Sequence, residues 1–278
     1  MIVVIGDLVA DLIVLGGAAL ERGTDNPAEV RLTRGGSAAN VAAAAAPRHP
    51  SRFIGCVGDD TLGHALVGEL EAADVDVKVQ RGGRTGSIVV LVDAAGERTM
   101  ITDRGAAAEL GPVDPAWMAG AEWVHLPLYG FASTRSRDAV TDAATRAAAR
   151  GARVSLDLSS VATLRDLGGA ELQRVLTEVR PDVVFANEDE ARLTAGLDVE
   201  PEGVYVVKRG AEPVLVRVNG CAHAVAVERA DDVLDSTGAG DAFAAGYILA
   251  ALGGADACES ARAGSVLAMS ALRRPGAL

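Results

Sequence analysis

The sequence predicts an α/β fold, with a mostly parallel central sheet covered by helices on both faces and a small β-sheet lid. Three observations lead there. From Trp123 onward, short β-rich runs alternate with helix-length segments, the pattern of strands joined by crossover helices. Two segments, approximately 12–34 and 84–104, break that alternation with paired β-rich runs and suit a small separate sheet. A chain of 278 residues with 49% hydrophobic content can bury one large core.

Ile2–Ile5 is a β-branched run ended by Gly6 and reads as a buried strand. Leu12–Leu32 interleaves apolar runs with "GG", "RGTDNP" and charges, which suits an exposed hairpin or small sheet. "GGSAANVAAAAA" (Gly35–Ala46) turns from a glycine pair into a helix of small residues. "SRFIGCVGDD" gives a strand and loop, and Thr61–Ala73 a helix with Leu62, Leu66 and Leu70 on one face. Gly86–Asp103 forms a hairpin around "DAAGE". Further strands are expected at Trp123–Leu126, Arg153–Leu156, Val183–Ala186, Val204–Val207 and Pro213–Val218. Helices are expected at Ser136–Arg150, Ala170–Val179, Glu188–Ala195, Ala239–Leu252 and Ala257–Leu272.

A net charge of −12 argues against nucleic acid or an anionic membrane as partner, while leaving room for an anionic nucleotide at a local site. Cys56, Cys221 and Cys258 lie far apart, without C-x-x-C or histidine at ligand spacing, so neither disulfides nor a zinc site are expected. The apolar start "MIVVIGDLVADLIVLGG" lacks a basic leader and is interrupted by Asp7 and Asp11. It reads as strand rather than signal peptide or membrane span, and the expected location is the cytoplasm.

The chemistry concentrates in "DSTGAGDAFAAGY", Asp235–Tyr247. Gly238-Ala239-Gly240 before a helix frees backbone N–H groups to face one spot, where the helix dipole also favours an anion. Asp241 in the first turn then stands ready to accept a hydroxyl proton. A plain helix start with a capping acid fits these few residues equally well. No G-x-x-x-x-G-K-[ST] loop is present, and no G-x-G-x-x-G follows the first strand.

The full string closely resembles the C-terminal signature of the ribokinase-like (PfkB) carbohydrate kinases, and "GGSAANVAAAAA" resembles their N-terminal signature. "GDLVAD", "GCVGDDTLGHAL", "GERTMITDRGA", "NEDE" and "VVKRGA" follow in family order, so the resemblance spans essentially the whole chain. It implies a ribokinase-like three-layer αβα sandwich as a single domain, and transfer of the ATP γ-phosphate to a hydroxyl, usually a primary one, of a sugar or sugar derivative. It implies Asp241 as base and the Gly238, Ala239 and Gly240 backbone as anion hole. Asn187 and Glu190 match the motif organising Mg²⁺ and phosphates, Glu190 through the metal's water shell. Lys208 and Gly210 match the ATP side, and Asp235 and Thr237 a monovalent-cation (K⁺) site. The second glycine often found after Gly210 is Pro213 here, which leaves the adenine pocket open.

On the acceptor side the resemblance gives Asp11 as the acid holding two hydroxyls, with Gly35, Gly36, Asn40 and Asp7 beside it. Val9 and Ser37 stand where ribose-phosphorylating relatives carry Asn and Lys, which disfavours ribose. Arg104 is a candidate for a carboxylate, a phosphate or a ring, and Thr102 and Asp157 rank below it; His125 reads as structural. An adenosine-like nucleoside acceptor is the alternative, against which the 3% aromatic content speaks. A catalytically silent sugar-binding protein is a further alternative. Relatives often dimerise through the lid, so a homodimer is compatible.

Overall fold

The computed structural model describes residues 1–16, 20–93, 98–227 and 237–273. β1 (Ile2–Ile5) is buried along its whole length, as a strand covered on both faces must be, and its sequence IVVI is apolar throughout. It pairs in parallel with β4 (Ser51–Val57) and β8 (Trp123–Pro127). Outward from β4 lies β5 (Asp76–Arg81). Outward from β8 follow β9 (Arg153–Asp157), β10 (Val183–Asn187) and β11 (Val204–Lys208), all parallel. β12 (Val214–Val218) and β13 (Cys221–Val225) finish the edge in antiparallel fashion, giving a nine-stranded sheet.

One core layer packs α1 (Ser37–Ala45), α2 (Thr61–Ala72), α7 (Ala239–Leu252) and α8 (Ala257–Leu272) on one face of this sheet. The other face carries α3 (Thr134–Ala148), α4 (Val161–Leu167), α5 (Gly169–Val179) and α6 (Glu188–Gly196). The result is the three-layer αβα arrangement that the sequence pattern predicts. α7 is apolar around most of its circumference, which suits a helix held between α1 and α8 rather than one with a wet face.

A second sheet takes β3 (Glu29–Gly35), β2 (Val9–Leu15), β6 (Thr85–Val92) and β7 (Arg98–Gly105), in that order. β2–β3 and β6–β7 are antiparallel pairs, and β2 and β6 join them in parallel. β2 begins at Val9, three residues earlier than the pattern of apolar runs suggests, so Asp11 sits inside a strand instead of before one. The DAAGE turn falls largely outside the described residues. Three elements escape the sequence reading: β5, whose DVKVQR alternates charges, the short helix α4, and β13, an exposed edge strand.

Candidate active site

The carboxyl ends of the parallel strands and one face of the small sheet enclose a cleft of about 1280 Å³, the position where open α/β sheets bind ligands. Strand alternation decides which small-sheet residues look into it: Asp11, Ile13 and Leu15 from β2, Arg31 and Thr33 from β3, and the even positions of β6 and β7. The strand ends of the main sheet contribute Asp7, Tyr129, Asp157, Asn187 and Lys208.

Asp241 lies in the first turn of α7, and both of its carboxylate oxygens are engaged from α1. Ser37 Oγ donates to Oδ1 at 2.6 Å and Asn40 Nδ2 donates to Oδ2 at 2.9 Å. Burial raises the Asp241 pKa to about 7, against the opposing pull of those two hydrogen bonds; Asp157 pushes it further up and Lys208 down. The helix itself starts at Gly238, which is left-handed (φ 74°, ψ 0°), and among the described residues no side chain caps its first N–H groups. An open helix N-terminus with a carboxylate of near-neutral pKa in its first turn therefore faces the cleft.

Beside it stands a buried ion pair. Lys208 Nζ lies 2.7 Å from Asp157 Oδ2, and an added side-chain carbon at Gly240 would come within 3.4 Å of that ammonium. Burial by itself would lower the Lys208 pKa, but Asp157, Glu190 and Asp241 carry it above the usual lysine value. Lys208 is therefore a charged group at the cleft floor and not a surface lysine.

Asn187 and Glu190 form a closed capping box at the start of α6. Asn187 Oδ1 accepts from the Glu190 N–H at 2.8 Å. Glu190 accepts from the Asn187 N–H at 2.7 Å and from Asn187 Nδ2 at 2.8 Å. Glu190 is 2% exposed, and burial, followed by Asp157, raises its pKa to about 7. Both structural and ligand-organising readings of this pair thus meet in one geometry.

At the far end, Asp7 accepts from the Ala38 N–H at 3.3 Å and faces Arg104, whose guanidinium lies 3.4 Å from Oδ2 and 4.0 Å from the centroid of the Tyr129 ring. Arg104 thus meets both a carboxylate and a ring. Asp11 is half-buried, its Oδ1 is enclosed without a hydrogen-bond partner, and burial, followed by Asp7, raises its pKa to about 6. Asp11 lines the cleft, where a carboxylate can accept ligand hydroxyls. The glycine pair is explained by these two acids: a side chain at Gly35 would strike the Asp11 carboxylate at 2.2 Å. At Gly36, whose φ is 103°, a side-chain carbon would strike the Asp7 carbonyl oxygen at 2.4 Å.

The structure thus brings Asp7, Asp11, Asn40, Arg104, Asp157, Asn187, Glu190, Lys208, Gly210, Thr237 and Asp241 to one cleft. Thr102 also lines it, on exposed β7. Asp235 lies outside the described residues. Asn40 lines the cleft, and its amide Nδ2 donates to Asp241. The Thr237 hydroxyl accepts a hydrogen bond from the Arg98 guanidinium. His125 is buried in the sheet, its Nδ1 2.8 Å from Ser155 Oγ, and burial lowers its pKa to about 4, in keeping with a structural role. Sequence reasoning missed Ser37 as a partner of the base. Ser37 meets a partner 204 positions away, and no local signal reports that.

A sequence profile of the pfkB family carbohydrate kinases matches residues 1–278. The chain belongs to this family. The kinase is 34% identical to the ATP-dependent ribose-1-phosphate kinase of Halopiger xanaduensis over 89% of this chain and 87% of that protein. It is also 34% identical to a fructokinase of Escherichia coli, over 84% and 82%. Its fold superposes on the adenosine kinase of Sinorhizobium meliloti with a TM-score of 0.86 and 25% identity, covering 99% of this chain and 94% of that one. No helix among the described residues is long and apolar enough to cross a membrane.

Proposed function

We propose that this kinase moves the γ-phosphoryl group of ATP to a hydroxyl, most simply a primary one, of a sugar or sugar derivative, with Asp241 as the base. The supporting observation is the pairing of Asp241, pKa about 7, with the uncapped start of α7. A carboxylate of that pKa is half ionised near neutrality and is matched to accepting a hydroxyl proton. The acceptor oxygen forms its bond to the γ-phosphorus as the bond to the β-phosphate oxygen breaks, and the hydroxyl proton passes to Asp241. ADP leaves with that oxygen. The free N–H groups of Gly238, Ala239 and Gly240 face the charge that grows on the transferring group, with Lys208 beside them. Asp11 and Asp7 hold the acceptor hydroxyls, and Arg104 on Tyr129 closes that end.

Asp157 and Glu190 fit Mg²⁺ held mainly through water and nucleotide phosphates. Among the described residues no group of three acid, histidine or cysteine side chains could cage it, and Glu190 is already engaged by Asn187. Bound there, the ion would neutralise phosphate charge. The Thr237 hydroxyl is engaged by Arg98, and no step is derived through K⁺. We read the whole chain as one kinase domain with the small sheet as lid, and the ATP requirement fits the cytoplasm. A homodimer through the lid is supported by its outer face, where Val30, Leu32 and Ile101 are 59%, 61% and 61% exposed. Sedimentation of a Leu32→Glu variant tests it, a dimer converting to monomer.

A nucleoside acceptor is favoured by one feature. The cleft face of the lid carries Ile13, Leu15, Ile88, Val90, Val92 and Met100, an apolar strip that accepts a planar base without aromatic residues. ADP production measured against sugars, sugar phosphates and adenosine decides between them. Turnover of a sugar or sugar phosphate is expected, and exclusive turnover of adenosine would replace the leading reading. A chain that binds sugar but makes no ADP would be a silent binding protein.

A further inference from the structure

The first turn of α1 reaches the base through two side chains three positions apart, Ser37 and Asn40, which share one helix face. Both lie in the string GGSAANVAAAAA that opens the helix. The Ser37 hydroxyl gives its single proton to Asp241 Oδ1 at 2.6 Å, the shorter of the two contacts. The charged and titratable surroundings of that carboxylate are mixed. Lys208 and Asp157 face it from the main sheet, Arg34 from the small sheet, and Tyr129 from the turn after β8. In that setting a neutral hydroxyl donor stabilises the anion without adding a charge.

We infer that Ser37 is a positioning residue for phosphoryl transfer: its hydroxyl fixes the rotation of the Asp241 carboxylate and keeps it ionised for the acceptor proton. A carboxylate offers about four lone-pair directions, and Ser37 and Asn40 take two from one side. The remaining directions stay open toward the cleft. Without Ser37 the carboxylate is free to rotate about Cβ–Cγ and loses a hydrogen bond made only to its charged form, so the proton is held more tightly. The cost appears in the chemical step and not in acceptor binding. The inference rests on the reading of Asp241 as base.

The test compares full-length wild type, Ser37→Ala, Ser37→Thr and Asp241→Asn. Titration of ¹³Cγ-aspartate-labelled protein, with the Asp241 signal assigned by its loss in Asp241→Asn, needs no acceptor. Ser37→Ala is expected to move that titration upward by about one unit, and Ser37→Thr, which keeps the hydroxyl, to restore it. With ATP and D-fructose, kcat/KM of Ser37→Ala should fall about tenfold below pH 6.5 and recover toward wild type above pH 8.5. KM for the sugar should stay unchanged. An Asp241 titration unmoved in Ser37→Ala overturns the inference, as does a KM that rises at every pH with kcat intact, which would make Ser37 an acceptor contact. Full turnover by Asp241→Asn would instead overturn the base assignment itself. Thermal unfolding of the same samples separates misfolding from these outcomes, and Ser37→Cys, whose thiol is only a weak donor, carries the test if Ser37→Ala does not fold.

Discussion

Two helix starts face the same cleft and are built in opposite ways. α6 begins with Asn187 and Glu190 locked in a reciprocal box that satisfies its first N–H groups from within. α7 begins with left-handed Gly238 and no side-chain cap, leaving its N–H groups for something that arrives from outside. α2, α3, α4 and α8 are also capped by a side chain, whereas α1 and α5, like α7, begin at a glycine without one. The contrast separates two duties. The closed start holds a buried carboxylate in place; the open one exposes backbone donors beside a base.

The largest break in this contrast is Asp241→Asn. It should lower kcat by about 10³-fold or more while calorimetry finds ATP binding nearly unchanged. Retained turnover would make α7 an ordinary helix start. Next is Lys208→Met, which leaves Asp157 buried without its partner. A loss of roughly 3 kcal/mol in chemical denaturation is expected, with ADP production falling by about 10².

Glu190→Gln sharpens the comparison most directly, because glutamine preserves a capping box. Stability should change by less than about 1 kcal/mol, whereas the Mg²⁺ concentration for half-maximal rate should rise about tenfold. An unchanged Mg²⁺ curve would assign α6 to structure alone. In wild type, the acid limb of kcat/KM should lie near pH 7, since Asp241 must lose its proton to act and activity falls as pH drops through its pKa. A limb near pH 4 would mean that the buried environment does not govern the base. The smallest effect is Gly238→Ala, which forces a left-handed alanine at a cost of about 1 kcal/mol. Its melting temperature would drop by a few degrees at most.

Much of the fold was legible because burial writes itself into composition. IVVI in β1, the small-residue run of α1 and the apolar α7 each announce an element enclosed on all sides. β5 and β13 were illegible for the converse reason, since edge strands with exposed or charged residues carry little periodic signal. At the site, Asp11, Asn187, Glu190, Lys208 and Asp241 were readable as motif positions. The role of Asn40 was not, because the motif fixes the residue type and not the atom it meets.

The sequence by itself determined the family, the three-layer class, the glycine turn at α7 and the residues that converge on one cleft. Local rules suffice there, because turn geometry, helix dipoles and strand burial act over a few residues. Only the tertiary structure decided that Ser37 and Asn40 hold Asp241, that Lys208 pairs with Asp157, and that Arg104 lies between Asp7 and Tyr129. Those contacts join residues between 25 and 204 positions apart, across layers whose packing no local pattern encodes. The pKa of the base follows from them, because desolvation and hydrogen bonding exist only once the layers have closed.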